Sequence, residues 1–231
     1  MDEIANFYMK EDILLPLLLA CCFLMLFGLA EFLYHKRKVK AEWTRKIVHV
    51  GTGILTLLFP VLLHSHWQVL ILCGSFLVIL LVSLRYNMLP SINNIGRFSY
   101  GSILYPIVVY GTYLIYLNAG KGLIMFYLPI LILAISDPMA AFTGRYYPFG
   151  SYRIRESKKT FSGSLAFFIV TILITLMTIY TLEPASPEIN NAIVFAILIS
   201  TVAAISEAIG IRGTDNFTIP VSVALTLHLI L

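Results

Sequence analysis

Residues 135–164 place a carboxylate inside an apolar segment and follow it with a basic loop interrupted by glycines. Asp137 precedes Pro138, and five of the sixteen Lys and Arg residues lie at positions 143–161. An aspartate in a lipid-facing helix costs about 2.5–3.5 kcal/mol on insertion scales, so an intramembrane carboxylate usually serves a function. We therefore interpret Asp137 as a metal ligand or as a general base for a hydroxyl group. The structural alternative is a helix break at this Asp-Pro pair, with Asp137 capping the second half-helix.

The basic loop has the composition expected of a polyphosphate site. Basic side chains, hydroxyl groups and the N-terminus of the following helix all favour phosphate. The candidate contacts are Gly144, Arg145, Lys158, Lys159, Thr160, Ser162 and Gly163. The P-loop pattern Gly-x-x-x-x-Gly-Lys-Ser/Thr does not occur in the sequence. As an alternative, these charges reflect only the excess of basic residues on one side of a membrane protein.

A second polar stretch, residues 207–220, reads EAIGIRGTDNFTIP. Glu207 ends one apolar segment, and Asp215-Asn216 begins the next one after a turn with two glycines. Carboxylate and amide oxygens are the ligands that Mg²⁺ prefers, so this turn is a candidate magnesium site. The alternative is that Asp215 or Asn216 acts only as a helix N-cap.

A third group of polar residues opens the second apolar segment. Arg45 and His49 are four residues apart and share a helix face, and Lys46 and His49 are three apart. Arg45 and Lys46 have a simple alternative as side chains that extend to the lipid headgroups. His49 lies one turn farther in, where an ionisable group usually faces protein or water.

These residues must be positioned by membrane helices. The chain of 231 residues is 59% hydrophobic and 12% charged, with a mean hydropathy of +0.88, whereas soluble domains are about 25% charged. The apolar runs are long and do not alternate, which favours helices over a barrel. We predict one all-α integral membrane domain, 1–231, with about eight transmembrane helices and a range of seven to nine. The segments are roughly 13–34, 47–63, 67–84, 101–117, 123–142, 162–182, 191–210 and 216–231.

The basic residues are divided unequally between the connections of this predicted bundle. Fourteen of the sixteen lie in four alternate connections, at 35–46, 85–100, 143–161 and 211–215, and only Lys10 and Lys121 lie on the other side. The positive-inside rule then predicts that these four connections are cytoplasmic and that both termini are outside. Because the candidate site residues lie at or near the same helix ends, we expect the active site at the cytoplasmic face.

Taken together and in order, these motifs resemble the family of dolichol kinases, phytol kinases and CTP-dependent diacylglycerol kinases. The matching stretches are Arg45-Lys46-Ile47-Val48-His49, Asp137-Pro138-Met139-Ala140 with Gly144-Arg145, Lys158 to Ser164, and Glu207 with Asp215-Asn216 and Pro220. The chain departs from the pattern at Ser136, where family members often have Gly, and in a longer spacing between Gly144 and Gly150. The middle stretch also resembles the CDP-diacylglycerol synthases, but the ending from Asp215 to Pro220 favours the kinases.

The resemblance implies transfer of the γ-phosphoryl group of CTP to the hydroxyl of a membrane isoprenoid alcohol or diacylglycerol, with Mg²⁺ as cofactor. It implies catalytic roles for Asp137, Lys159 and His49, and metal ligation by Asp137, Glu207 and Asp215. The implied nucleotide contacts are Lys46, Gly144, Arg145, Lys158, Lys159, Thr160, Ser162, Gly163 and Asn216.

Two other functions stay open at this point. A phosphatidate cytidylyltransferase would also use CTP, and a small membrane transporter would also need intramembrane charges, although some of these would lie at broken helices near the midplane. The expected partners are a nucleoside triphosphate, preferably CTP, a lipid alcohol and membrane lipids. A net charge of +4 is too small to indicate nucleic acid. We expect the inner membrane of a prokaryote or the endoplasmic reticulum of a eukaryote.

Overall fold

The computed structural model describes residues 2–96, 99–155, 157–182 and 189–231, with side chains from residue 13 in the first helix and from residue 191 in the tenth. The helices are α1 Asp2–His35, α2 Ala41–Thr56, α3 Phe59–Leu62, α4 His66–Tyr86, α5 Pro90–Asn93, α6 Gly101–Ala119, α7 Ile124–Leu131, α8 Asp137–Tyr146, α9 Phe161–Leu182, α10 Ile189–Ile209 and α11 Asp215–Ile230. Two strands, β1 Ser151–Ile154 and β2 Ser157–Thr160, lie between α8 and α9.

Each of the eight apolar segments predicted from the sequence forms a helix. Among the described residues, seven helical spans are long and apolar enough to cross a membrane, and the last segment forms the shorter apolar helix α11. The predicted all-α polytopic bundle is therefore confirmed, and the chain is an integral membrane protein. The exception is the antiparallel hairpin of β1 and β2, which occupies part of the stretch predicted to be loop.

The chain folds as two compact units, Met1–Arg97 and Phe98–Leu231. In the first unit, α1 packs against α2, α4 and α5. Aromatic side chains form part of its core, where the rings of Phe23 and Phe76 lie 5.0 Å apart. Glu31 also joins elements of this unit, because its carboxylate accepts a hydrogen bond of 3.0 Å from the backbone N–H of Ser91 and contacts His35.

In the second unit, the span Ile124–Tyr146 is the central helix. Two thirds of its most apolar window (67%) is buried, against at most 39% in the other described spans. It packs against α6, α9 and α11, and side chains of α7 such as Met125, Phe126 and Leu128 are fully buried. A helix that is apolar all round belongs in such a position. Asp137 lies on this central helix.

The central helix is continuous through Asp137-Pro138, so the helix break that was the structural alternative for this pair is not observed. Residues Ile132–Ser136 form one π-helical turn between α7 and α8. Proline has no backbone N–H, and its ring collides with the carbonyl group four residues earlier in a regular α-helix. The wider π turn moves that carbonyl group, so Pro138 is accommodated at the start of α8 without ending the helix.

Candidate active site

Asp137 is buried at the start of α8, directly after the π turn, with 8% of its surface exposed. The neighbouring Ser136 is fully buried, and its hydroxyl lies 3.0 Å from the Thr171 hydroxyl on α9. This contact fixes the turn against α9. A π turn within an α-helix is frequently found at a functional site. Here it directly precedes Asp137 and so affects the direction in which the Asp137 carboxylate points.

Lys159 lies between two acidic residues that are distant in sequence. Its Nζ atom donates to the carboxylate of Glu207 and, at 2.5 Å, to the Glu207 backbone carbonyl. Asp215 Oδ2 is 3.8 Å from the same Nζ atom. The side chains of Lys159 and Glu207 are 13% and 6% exposed, so this ion pair is largely removed from water. The hairpin, the end of α10 and the start of α11 therefore meet around one ammonium group.

Glu207 lies close enough to two other carboxylates to be affected by their charge. The negative charges of Asp137 and Asp215 both interact electrostatically with Glu207. Among the described residues, the second oxygen of Glu207, Oε2, is buried without a hydrogen-bond partner. A buried oxygen without a partner is costly unless another group satisfies it. Carboxylate oxygens are the donors that Mg²⁺ prefers, so this atom fits a cation that binds with the substrate.

In the described part of the chain, the carboxylates predicted to bind metal do not form a ready-made cluster of ligands, and their metal ligation stays a prediction. No group of three or more His, Cys, Asp and Glu side chains there is close enough to hold one metal ion. Without a metal, the Lys159 ammonium group supplies positive charge next to both Glu207 and Asp215.

The turn between α10 and α11 is built to bring Asp215 back toward Glu207. A Cβ atom on Gly210 would lie 2.8 Å from the Asp215 Cβ atom, so only glycine allows this approach. Gly213 has a φ of +86°, which is a conformation that glycine tolerates at little cost. Asn216 donates to the Gly101 carbonyl at 2.9 Å, which joins α11 to the start of α6. Its amide nitrogen is thus used in the fold, and its amide oxygen is the group that would contact a ligand.

The predicted phosphate-binding glycines lie where two helices come into close contact. A Cβ atom on Gly144 would lie 2.5 Å from Thr160 Oγ1, and one on Gly163 would lie 2.9 Å from the Ala140 carbonyl oxygen. Small residues at such positions let membrane helices approach each other closely. In this structure, Gly144 and Gly163 bring α8 and α9 together, which places Asp137 and Lys159 in the same part of the unit.

The N-terminus of α9 makes its hydrogen bonds within the protein. The N–H group of Phe161 donates to the Gly150 carbonyl at 2.9 Å, and that of Ser162 donates to the Phe149 carbonyl at 3.4 Å. Thr160 acts as the N-cap, because its hydroxyl accepts from the Gly163 N–H at 3.1 Å. These first three amide groups of α9 are therefore engaged, and phosphate binding at this loop depends on side chains.

The two adjacent lysines of β2 lie on opposite faces of the hairpin. Successive residues of a strand point to opposite sides, and Lys159 is paired with Tyr152 whereas Lys158 is paired with Arg153. Lys158 is exposed, as is Arg145 in the last turn of α8. Lys159 thus lies among the carboxylates, on the face of the hairpin opposite to Lys158.

Lys46 and His49 belong to the first unit, where both lie on α2. His49 is buried, with 9% of its surface exposed, and Lys46 is half-buried. The burial of His49 agrees with the expectation that it faces protein. Their predicted roles beside nucleotide and carboxylates stay predictions.

Sequence reasoning missed three features that shape the site. They are the π turn, the hairpin and the contact of Gly210 with Asp215. The hairpin had a signal, because the stretch Ser151-Tyr152-Arg153-Ile154 alternates between polar and bulkier, less polar side chains as a strand does. The π turn and the Gly210 contact depend on packing that no local periodicity reveals.

Comparison with known proteins places the chain in a family. A model described as the cytidylyltransferase family matches residues 4–210. The chain belongs to this family. A relative, the phytol kinase of Synechocystis sp. (strain ATCC 27184 / PCC 6803 / Kazusa), is 30% identical over 201 residues, which cover 85% of this chain and 82% of the relative. No solved structure matches the chain.

These similarities confirm two expectations for this member of the cytidylyltransferase family. The resemblance to kinases of the polyprenol and phytol type is confirmed, and so is the predicted class of enzyme, a phosphotransferase with an alcohol group as acceptor. The family match ends at residue 210 and therefore includes Asp137, Lys159 and Glu207 but not Asp215.

Proposed function

We propose that this protein is a CTP-dependent lipid-alcohol kinase. It transfers the γ-phosphoryl group of CTP to the hydroxyl of a membrane isoprenoid alcohol or of diacylglycerol at the cytoplasmic face. The observation that carries this proposal is the largely buried group of Lys159, Glu207 and Asp215, with Asp137 in electrostatic range of Glu207. Phosphoryl transfer requires mainly positioning and charge neutralisation, and a cluster of this kind can provide both.

The charge balance of the site explains why a second cation is needed. Three carboxylates and one lysine would repel a triphosphate. Glu207, with its buried second oxygen, and Asp215 would hold Mg²⁺, which when bound neutralises charge on the transferring phosphates. Lys159 would then contact the phosphates as a second positive charge.

Asp137 is the residue proposed to accept the proton of the lipid hydroxyl. It is buried at the start of α8, on the central helix. The ion pair itself joins Lys159 on β2 to Glu207 on α10. The same helix α8 exposes two apolar side chains close to it in sequence, Met139 (42%) and Phe142 (44%). A lipid alcohol that approaches from the bilayer would meet this apolar surface and place its hydroxyl near the carboxylate.

The alternative function is that of a phosphatidate cytidylyltransferase, which the description of the matching family favours. A cytidylyltransferase joins the α-phosphorus of CTP to a lipid phosphate and releases pyrophosphate, whereas a kinase transfers the γ-phosphoryl group. A transporter is expected to carry intramembrane charges at broken helices in both halves. The candidate break in the sequence, Asp137-Pro138, lies in a continuous helix, which gives the transporter alternative no support.

The test is a reconstitution of the purified protein in liposomes with CTP labelled at either the α or the γ phosphorus. Acceptors are an isoprenoid alcohol, diacylglycerol and phosphatidate, each offered separately. We expect label from the γ position to appear in an alcohol lipid, and more slowly with ATP or UTP as donor. Transfer of α label to phosphatidate would replace the proposal with the alternative, and faster transfer from ATP would refute the preference for CTP.

A further inference from the structure

The outer face of the hairpin, defined by Arg153 and Lys158, has a charge arrangement that the proposed reaction does not use. These two residues are directly paired across β1 and β2, and both side chains are exposed. Like charges directly opposite each other destabilise a strand pair. Arg155, also exposed, adds a third positive charge in the turn that joins the strands.

The protein supplies little negative charge to offset this face. Among the described residues, neither Arg153 nor Lys158 forms an ion pair. Residues 143–161 contain five basic residues and a single acid, Glu156, which lies outside the described residues. Even complete pairing of that one acid would leave an excess of positive charge, so an external anion would stabilise this surface.

The hairpin connects the end of one membrane span to the start of the next and is held against both. The spans Ile124–Tyr146 and Phe161–Leu182 flank it directly. The Tyr152 hydroxyl lies 2.6 Å from the Ser164 hydroxyl on α9, and the Ser162 hydroxyl donates to the Tyr147 carbonyl. The hairpin therefore stays at the depth where the polar headgroups of the bilayer begin.

Aromatic side chains surround the base of the hairpin. Tyr147 is 70% exposed, Phe149 is 75% exposed and Phe161 is 58% exposed. In a soluble protein such a group would be unfavourable, but aromatic side chains are enriched at the boundary between lipid and water. Basic residues beside exposed aromatic residues form the combination that binds anionic membrane surfaces.

We propose that Arg153 and Lys158 bind the phosphate groups of anionic lipids in the same membrane leaflet, while Tyr147, Phe149 and Phe161 insert among the headgroups. Lys158 then serves lipid binding rather than nucleotide binding, and the inner face with Lys159 keeps the reaction. The hairpin would thus be anchored to the membrane on one side and joined to the carboxylates on the other. This proposal requires only that the two flanking helices span the membrane.

The test measures which lipid surrounds the hairpin. Phe149→Trp is introduced into the full chain together with Trp43→Phe and Trp67→Phe, so that a single tryptophan reports from the base of the hairpin. Its fluorescence is quenched by brominated phosphatidylglycerol or by brominated phosphatidylcholine at equal mole fraction. We expect a preference for phosphatidylglycerol of roughly five-fold for each basic residue near the surface, reduced by high salt.

Matched variants assign that preference to the outer face. Arg153→Gln with Lys158→Gln should lower the ratio about 25-fold, to what Arg155 alone supports, whereas Arg153→Lys, which keeps the charge, should preserve it. Lys121→Gln removes a basic residue at the other end of the unit and should leave the preference for phosphatidylglycerol unchanged. Equal quenching by both lipids in the parent protein would overturn the proposal, as would a preference that the double substitution leaves undiminished. Loss of the preference on adding CTP with Mg²⁺ would show that the face binds nucleotide instead.

Discussion

The two ends of the second unit differ in how they use polar residues. The site end contains Asp137, Lys159, Glu207 and Asp215, held together by close helix contacts and a tight turn. At the far end, Lys121 donates to the His228 backbone carbonyl at 2.5 Å. Nearby, the rings of Tyr113 and Phe126 pack edge to face, with their centres 5.6 Å apart. The described part of the far end has no Asp or Glu side chain.

At the far end the polar residues support the fold, whereas at the site end they are available for chemistry. Apolar and aromatic packing holds the far end together, and its polar contact satisfies a helix terminus. The site end retains buried charges that oppose one another, and such charges are costly to bury. We infer that the far end serves the fold, and that the site end gives up stability in order to hold charged substrates.

The largest effect is expected from Asp137→Asn. This change keeps the shape of the side chain, removes the proposed proton acceptor, and should lower phosphoryl transfer by about 10²–10⁴-fold. The folded protein should be retained, because the change also removes the repulsion between Asp137 and Glu207. The measurement is γ-label transfer together with the unfolding midpoint in detergent. Near-normal transfer would exclude Asp137 from the mechanism.

Lys159→Met is expected to have the next largest effect, on stability. It leaves Glu207 buried without its positive partner, and breaking a buried pair in this way costs about 3–5 kcal/mol. The free energy of unfolding in mixed micelles is the quantity to measure. Lys158→Met is the matched control, because the adjacent exposed lysine should change stability by no more than about 0.5 kcal/mol. Equal losses in both variants would contradict the opposite orientation of the two side chains.

Gly144→Ala should have an intermediate effect. The added methyl group would collide with Thr160 Oγ1, and overpacking of this kind costs about 1–3 kcal/mol. Activity should fall as well, because the hairpin that carries Lys159 is displaced. Gly111→Ala on α6 is the control, since a Cβ atom there meets nothing within 4 Å. A stability loss in Gly111→Ala as large as that in Gly144→Ala would refute a specific contact between α8 and the hairpin.

Lys121→Ala should have the smallest effect and tests the far end. It removes one exposed hydrogen bond to His228, which is worth about 1 kcal/mol. Transfer of γ label should be unchanged, and the unfolding midpoint should fall slightly. A marked loss of γ-label transfer at unchanged stability would contradict the inference that the far end serves only the fold.

The sequence was sufficient to predict the membrane helices and the polar residues near their ends, because a long apolar run has few structural alternatives to a transmembrane helix. It could not reveal how Lys158 and Lys159 divide between two faces, since that depends on the register of a four-residue strand pair. Nor could it show that Gly144 and Gly163 serve helix packing, because a glycine in a basic loop has the same pattern in either role. The position of Glu207 relative to Lys159 arises from a contact between residues 48 positions apart in the sequence.

The π turn at Ile132–Ser136 changes the rotational relation between the two halves of the central helix. In an unbroken α-helix, each residue is fixed at about 100° from its neighbour, so the first turn dictates where the last side chain points. One wider turn adds a fixed offset to that angle. The apolar half faces α6 and α11, and the half with Asp137 packs against α9. Losing the π turn would therefore point the Asp137 carboxylate in a different direction, even if every other helix stayed in place.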